Sequence, residues 1–405
     1  MLPKPSSRFA FLLATPLILA VINLGSISAA IAGDGDIKLI TKDKHDPRPD
    51  DDKHERPRIQ LALLLDTSNS MDGLIHQAQA QLWRIVNELS SCKKQGRTPE
   101  LEVALYEYGN TGLPADGGWI RQVLPFTDNL DDVSEKLFAL DTNGGDEYCG
   151  RVIEAATRGL TWSGDDDDLK IIVIAGNEPF TQGPVDYKHA CREAVEREIT
   201  INTIFCGNRS AGIATKWKHG AKLGHGEYSN IDQNSRVIEI KTPYDDELAK
   251  LSTKINETFL FFGEATVRQR FARNQQAQDA NAASLGAGVA ASRAGTKASS
   301  NYSFEADLVA EPESAPEILK EAEEEELPEV LRGKSLDEQT KIIEKKAAKR
   351  MEIENKIKEL TAKRNSYLAE QRAKQTGQDQ SQSLDEALLN ALRSQAKEEG
   401  FHFEK

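Results

Sequence analysis

The 405-residue sequence is poor in cysteine (4), methionine (3), tryptophan (4) and aromatic side chains in general (6%), whereas 29% of it is charged. So thin an aromatic supply argues for one core with extensions rather than several packed domains. Basic residues are outnumbered, 51 against 65 acidic, for a net charge of −14. An acidic surface of that size excludes nucleic acid and anionic membrane as principal partners. Enzyme motifs are missing as well. The sequence contains no G-x-S-x-G nucleophile elbow, no G-x-x-x-x-G-K-[ST] phosphate loop and no H-E-x-x-H pair, and none of its 7 histidines stands at a suggestive spacing. Gly286-Ala287-Gly288 lacks the preceding strand that a dinucleotide loop requires.

At the N-terminus, Lys4 and Arg8 precede the apolar run Phe9 to Leu24, and small residues follow up to Ala30-Ile31-Ala32. This is the layout of a secretory signal over residues 1–32, and it places the mature protein in the periplasm or outside the cell, free of the membrane once the signal is cleaved. An uncleaved anchor is the alternative, since the apolar run approaches spanning length. Residues 33–57, rich in Asp, Lys and Pro, read as a polar linker.

The organising stretch is Ile59 to Met71, IQLALLLDTSNSM. A buried central strand ends abruptly at Asp66 and opens into a loop of small hydroxyl residues. Asp66, Ser68 and Ser70 alternate, so a tight loop aims three oxygen donors at one point, a set suited to a hard divalent cation, Mg²⁺ or alternatively Mn²⁺ or Ca²⁺. Behind the loop, Leu74, Ile75, Ala78, Leu82, Ile85, Val86 and Leu89 recur at helical spacing. Strands follow at Leu101–Gly109 and Trp119–Phe126 across turn-forming glycines. Strands and helices then alternate to a last helix opening at Thr242-Pro243. The pattern predicts an α/β fold: a doubly wound, mostly parallel sheet with one antiparallel edge strand, followed by an α-helical C-terminal extension.

D-x-S-x-S after such a strand resembles the metal-ion-dependent adhesion site (MIDAS) of von Willebrand factor type A (VWA) domains, and the resemblance covers residues 58–263. The chain also resembles uncharacterised exported bacterial VWA proteins. The resemblance implies metal ligands from three loops. The first is intact. In the second, Asp146 follows Gly144-Gly145 where the family has threonine, with Glu147 beside it. In the third, Gly176 stands at the aspartate position, which leaves Asn177 and Glu178 as substitutes. The metal set expected is therefore Asp66, Ser68, Ser70 and Asp146, with Glu147, Asn177 and Glu178 as further candidates. The function implied is a non-enzymatic protein-binding module. One alternative is a metal-free VWA scaffold that binds partners through its C-terminal helices, and another is a metal-assisted hydrolase using Asp66, Asp146 and Glu147. All four cysteines lie in this region. In the implied fold Cys149, Cys191 and Cys206 lie toward the site face, so two of these three are expected to form a disulfide and Cys92 is not.

Residues 264–333 read as a low-complexity and acidic linker. Residues 334–375 form a charged helix opened by the capping box Ser335-Leu336-Asp337-Glu338. Leu336, Ile343, Ile353, Ile357, Leu360 and Tyr367 make an approximate heptad seam, interrupted by Gln339, Lys346, Arg350 and Arg364. The seam suits either self-association as a coiled coil or docking on the body. Residues 383–405 are a second capped, amphipathic helix ending in Phe401-His402-Phe403, a tail expected to pack on the chain's own surface.

Overall fold

The computed structural model describes residues 56–232, 240–374 and 384–403. The signal segment, nearly all of the polar linker and most of a strand expected at Val237–Ile240 lie outside them. In chain order the first elements are β1 (Arg58–Asp66), α1 (Asp72–Ser90), β2 (Cys92–Lys94), β3 (Glu100–Tyr108), β4 (Ile120–Thr127), α2 (Leu130–Phe138), α3 (Cys149–Gly159) and β5 (Leu169–Gly176). Next come α4 (Tyr187–Glu196), β6 (Thr200–Cys206), α5 (Arg209–Ala214), α6 (Trp217–Leu223), β7 (His225–Ile231) and α7 (Asp245–Lys254). The C-terminal part comprises α8 (Ala265–Leu285), α9 (Ala287–Lys297), α10 (Ala315–Glu321), α11 (Leu336–Lys374), α12 (Leu384–Glu398) and β8 (Phe401–Phe403).

Every residue of β1 after the first is buried, as a strand covered on both faces requires. The main sheet runs β4-β3-β1-β5-β6-β7, with β4 alone antiparallel to its neighbour. This is the doubly wound sheet with an antiparallel edge that the alternation of elements predicts. Leu61, Leu63 and Leu65 face α1 and α2, while Ala62 and Leu64 face α3, α4 and Trp217. No described helix is long and apolar enough to cross a membrane.

The C-terminal half departs from expectation in two ways. Residues 264–333 are not linker. They hold α8 and α9, whose contacts come from alanines and polar groups such as Gln275, Gln278 and Arg293 rather than from a leucine stripe, and the short α10, which buries Ala315 and Leu319. The coiled-coil expectation for α11 is also corrected, because its seam is spent inside the chain. Ile343 packs with Leu260 and Leu331, and Ile353, Ile357 and Leu360 pack with Leu248 and Ile255. Three of the polar residues that interrupt the seam are anchors. Gln339 donates to Leu331 O at 3.0 Å, Arg350 pairs with Asp307 at 2.6 Å, and Arg364 pairs with Asp245 at 2.7 Å. The aromatic tail folds back on the chain's own surface, as expected, and does so as a strand, β8, antiparallel to β2.

The expected disulfide is absent: all four cysteines are free, buried thiols. Strand alternation puts Cys206 in the core on the α1 side of the sheet, and Cys149 and Cys191 sit in the core on the other side. Burial pushes the thiols of Cys92 and Cys191 up to about 12, and raises Cys149 and Cys206 well above the ordinary thiol value. A thiol-reactive chromophore is therefore expected to label none of the four in the native protein and all four in denaturant. Two or fewer labelled after denaturation without reductant would reinstate a bridge.

Candidate functional site

The register of the sheet places Asp66 at the C-terminal end of β1, opposite Tyr108 of β3 and beside the end of β5. Asp66 is fully buried and Ser68 nearly so. Asp66 Oδ1 accepts the Ser68 backbone N–H at 2.8 Å, which tightens the loop so that the Ser68 and Ser70 hydroxyls approach to 3.3 Å. The neighbouring loops are stitched to this one: Asn143 N–H donates to Thr67 O at 2.9 Å, and Thr111 N–H donates to Gly144 O at 2.7 Å.

The second loop presents Glu147, not Asp146. Asp146 is exposed, and its carboxylate accepts from the Tyr148 hydroxyl at 3.3 Å. Glu147 is buried and turned to Asp66. The two carboxyls crowd Gly109, whose φ of +81° and lack of a side chain are both required. A Cβ there would stand 2.7 Å from Glu147 Cγ and 2.9 Å from Asp66 Oδ1. At the third loop, Gly176 has no room for the aspartate that the VWA resemblance implies there. A Cβ would overlap the Tyr108 hydroxyl and lie 2.9 Å from Asp66 Oδ2. That hydroxyl donates to Ala175 O at 3.0 Å and so is fixed in place. Asn177 reaches the site, donating to Ser70 Oγ at 2.9 Å, while the Glu178 side chain stays exposed.

Of the residues expected from sequence, Asp66, Ser68, Ser70, Glu147 and Asn177 come together, and Asp146 and Glu178 remain on the rim. Tyr108 and Gly109 belong to the site unannounced, because a tyrosine ending a strand carries no sequence signal for what its hydroxyl displaces.

The electrostatics are unusual. Burial, and then the Asp66 charge, push the Glu147 carboxyl up to about 9, and burial raises Asp66 as well. Counted as carboxylates, Asp66 Oδ2 and Glu147 Oε2 are buried with no donor, and Asn177 Oδ1 is likewise unpartnered. A shared proton, an ordered water or a cation each satisfies that set. The donors are all oxygen and mix carboxylate, hydroxyl and amide, so they fit a hard divalent ion such as Mg²⁺ or Mn²⁺. Among the described residues no group of three or more His, Cys, Asp or Glu is arranged around a metal position. The serines are therefore indispensable to any such site.

A scan of protein-family models and a search of curated proteins both find no match. Solved structures do match over part of the chain. The conserved hypothetical protein BatB from Bacteroides thetaiotaomicron is 17% identical, with a TM-score of 0.33 over 43% of this chain and 90% of its own. The SpRpn10 VWA domain is 14% identical, with a TM-score of 0.34 over 44% of this chain and 90% of its own. Proximal thread matrix protein 1 from mussel byssus, solved with a zinc-occupied MIDAS motif, is 11% identical, with a TM-score of 0.33 over 43% of this chain and 41% of its own. These are distant likenesses to VWA-type domains, and the fold rests on the strand order itself.

Proposed function

We propose that this chain is an exported protein-binding module whose sheet-edge loops hold a divalent cation through Asp66, Ser68, Ser70 and Glu147, with Asn177 beside them. The observation that carries this reading is the buried pair of donorless carboxylate oxygens, Asp66 Oδ2 and Glu147 Oε2, set beside two hydroxyls. An ion there draws the loops after β1, α2 and β5 into one surface, and a protein partner docks on that surface. Glu147 replaces the family's hydroxyl with a carboxylate, so the ion's charge is already balanced within the site. We read the site as one for binding rather than turnover.

The test is titration calorimetry of Mg²⁺ and Mn²⁺ into the full chain beside its Ser68→Ala, Glu147→Gln and Asp146→Ala variants. Binding is expected in the parent and in Asp146→Ala, and a loss of roughly 10-fold or more is expected in the other two. No heat of binding in the parent, or equal binding in Glu147→Gln, would overturn the assignment.

A further inference from the structure

Helix α12 does not belong to the helical extension that precedes it. It crosses back to the α/β body and packs on α1, β6 and β7. Leu384, Leu388, Leu392, Ala396 and Phe401 are buried in the same core as Leu61, Leu63 and Val86. Residues 232–383 therefore stand between β7 and the helix that covers its face. On the α1 side of the sheet, the part at β6 and β7 is covered by this returning helix and not by the contiguous sequence alone.

Polar contacts fix where the returning segment sits. Beneath the rim pair of Arg393 with Glu88, Gln395 Nε2 donates to Asn202 Oδ1 at 2.6 Å and Asn202 Nδ2 donates back to Gln395 Oε1 at 2.9 Å, both residues being buried. A slip of α12 along the groove would strip the buried Gln395 amide and Asn202 Nδ2 of their partners, leaving Asn202 Oδ1 only the Glu227 N–H, so this pair sets the register. At the helix start, Gln77 of α1 accepts the Leu384 backbone N–H at 3.2 Å and donates to Asp232 O at 3.0 Å, tying α12 to the end of β7. At its end, β8 pairs with β2, and Lys94 lies 5.1 Å from the Phe401 ring.

We propose that residues 384–403 act as a built-in helical ligand. The α1/β6/β7 face is a helix-accepting groove whose occupant is the chain's own C-terminal segment, and the α/β unit closes only when that segment docks. The unit is thus discontinuous, and its folding waits for residues 384–403. In a chain bearing the export signal read at residues 1–32, that order keeps the sheet open until this segment has been made.

The experiment places a protease site between Lys374 and Leu384 of the full-length protein and cuts it there. The released 384–405 fragment is expected to co-elute with the remainder at micromolar concentration, and Tm is expected to become concentration-dependent, rising further when synthetic 384–405 peptide is added in excess. With Gln395→Ala in the fragment, dissociation is expected to be about 10-fold faster. A fragment that leaves while the remainder loses its cooperative transition also supports the proposal. A fragment that leaves while the remainder keeps the parent's melting transition overturns it, as does a Tm that stays independent of concentration in the cut protein.

Discussion

Replacing Arg293 with methionine is expected to remove about 3–5 kcal/mol of folding stability, a large share of the ~5–15 kcal/mol that holds a typical domain together. Arg293 is completely buried and is where the helical extension meets the α/β body. Its Nη1 donates to Asp131 of α2 at 2.6 Å, its Nε to Asp279 of α8 at 2.5 Å, and its Nη2 to the Gln275 carbonyl at 3.1 Å. The guanidinium also lies 4.6 Å from the Trp83 ring of α1. Methionine fills part of the volume but leaves Asp131 with only the Tyr302 hydroxyl, which donates at 2.8 Å. The cost is that of a buried carboxylate stripped of its cation, not the net worth of the ion pair.

That distinction can be measured. Asp131→Asn combined with Arg293→Met is expected to recover part of the loss, because the stranded charge is gone. Arg393→Ala provides the contrast. Its partner is Glu88 at 2.6 Å, but the arginine side chain is 46% exposed, so about 1 kcal/mol or less is expected. Urea denaturation of these variants beside the parent separates the cases. Equal losses for Arg293→Met and Arg393→Ala would mean that the junction is not held by this cluster.

How far the sequence can be read follows from the same physics. The sheet is legible because β1 and β5 are buried on both faces and so appear as unbroken apolar runs, while Asp66 ends its run at the site. The choice between Asp146 and Glu147 is not legible. Adjacent residues in an extended loop point opposite ways, and nothing in Gly144-Gly145 says which one turns inward. Helices α8 and α9 are invisible to a search for apolar periodicity because they pack through alanine, glutamine and arginine. The one signal is Arg293 and Lys297 at helical spacing, which meet at Asp279. Helix α12 shows its apolar face plainly, but periodicity tells which side is buried and not against what.

Glu147→Gln is expected to make the metal-free protein more stable at pH 8 and to flatten its stability against pH. In the unfolded chain this carboxyl ionises near its ordinary value of 4.5, whereas in the folded state it holds its proton to about 9. Below 4.5 both states are protonated and the group favours neither. Between the two values the unfolded chain has released a proton that the folded chain keeps, so stability falls as pH rises, by at most about 1.4 kcal/mol per pH unit, and levels off above 9. Glutamine keeps the shape and retains a donor toward Asp66, but it has no proton to lose. The variant is therefore expected to lack most of the alkaline fall. Added Mg²⁺ should have the same effect on the parent by a different route, since the cation takes the proton's place between the carboxylates. At 100 times Kd it should add about 2.7 kcal/mol to the parent and almost nothing to Glu147→Gln. Chemical denaturation from pH 5 to 9, with and without Mg²⁺, reads both effects. A parent whose stability is flat across that range would mean that Glu147 ionises freely and does not share a proton with Asp66. A parent with the predicted slope that does not respond to Mg²⁺ would leave the proton as the only cation the site accepts.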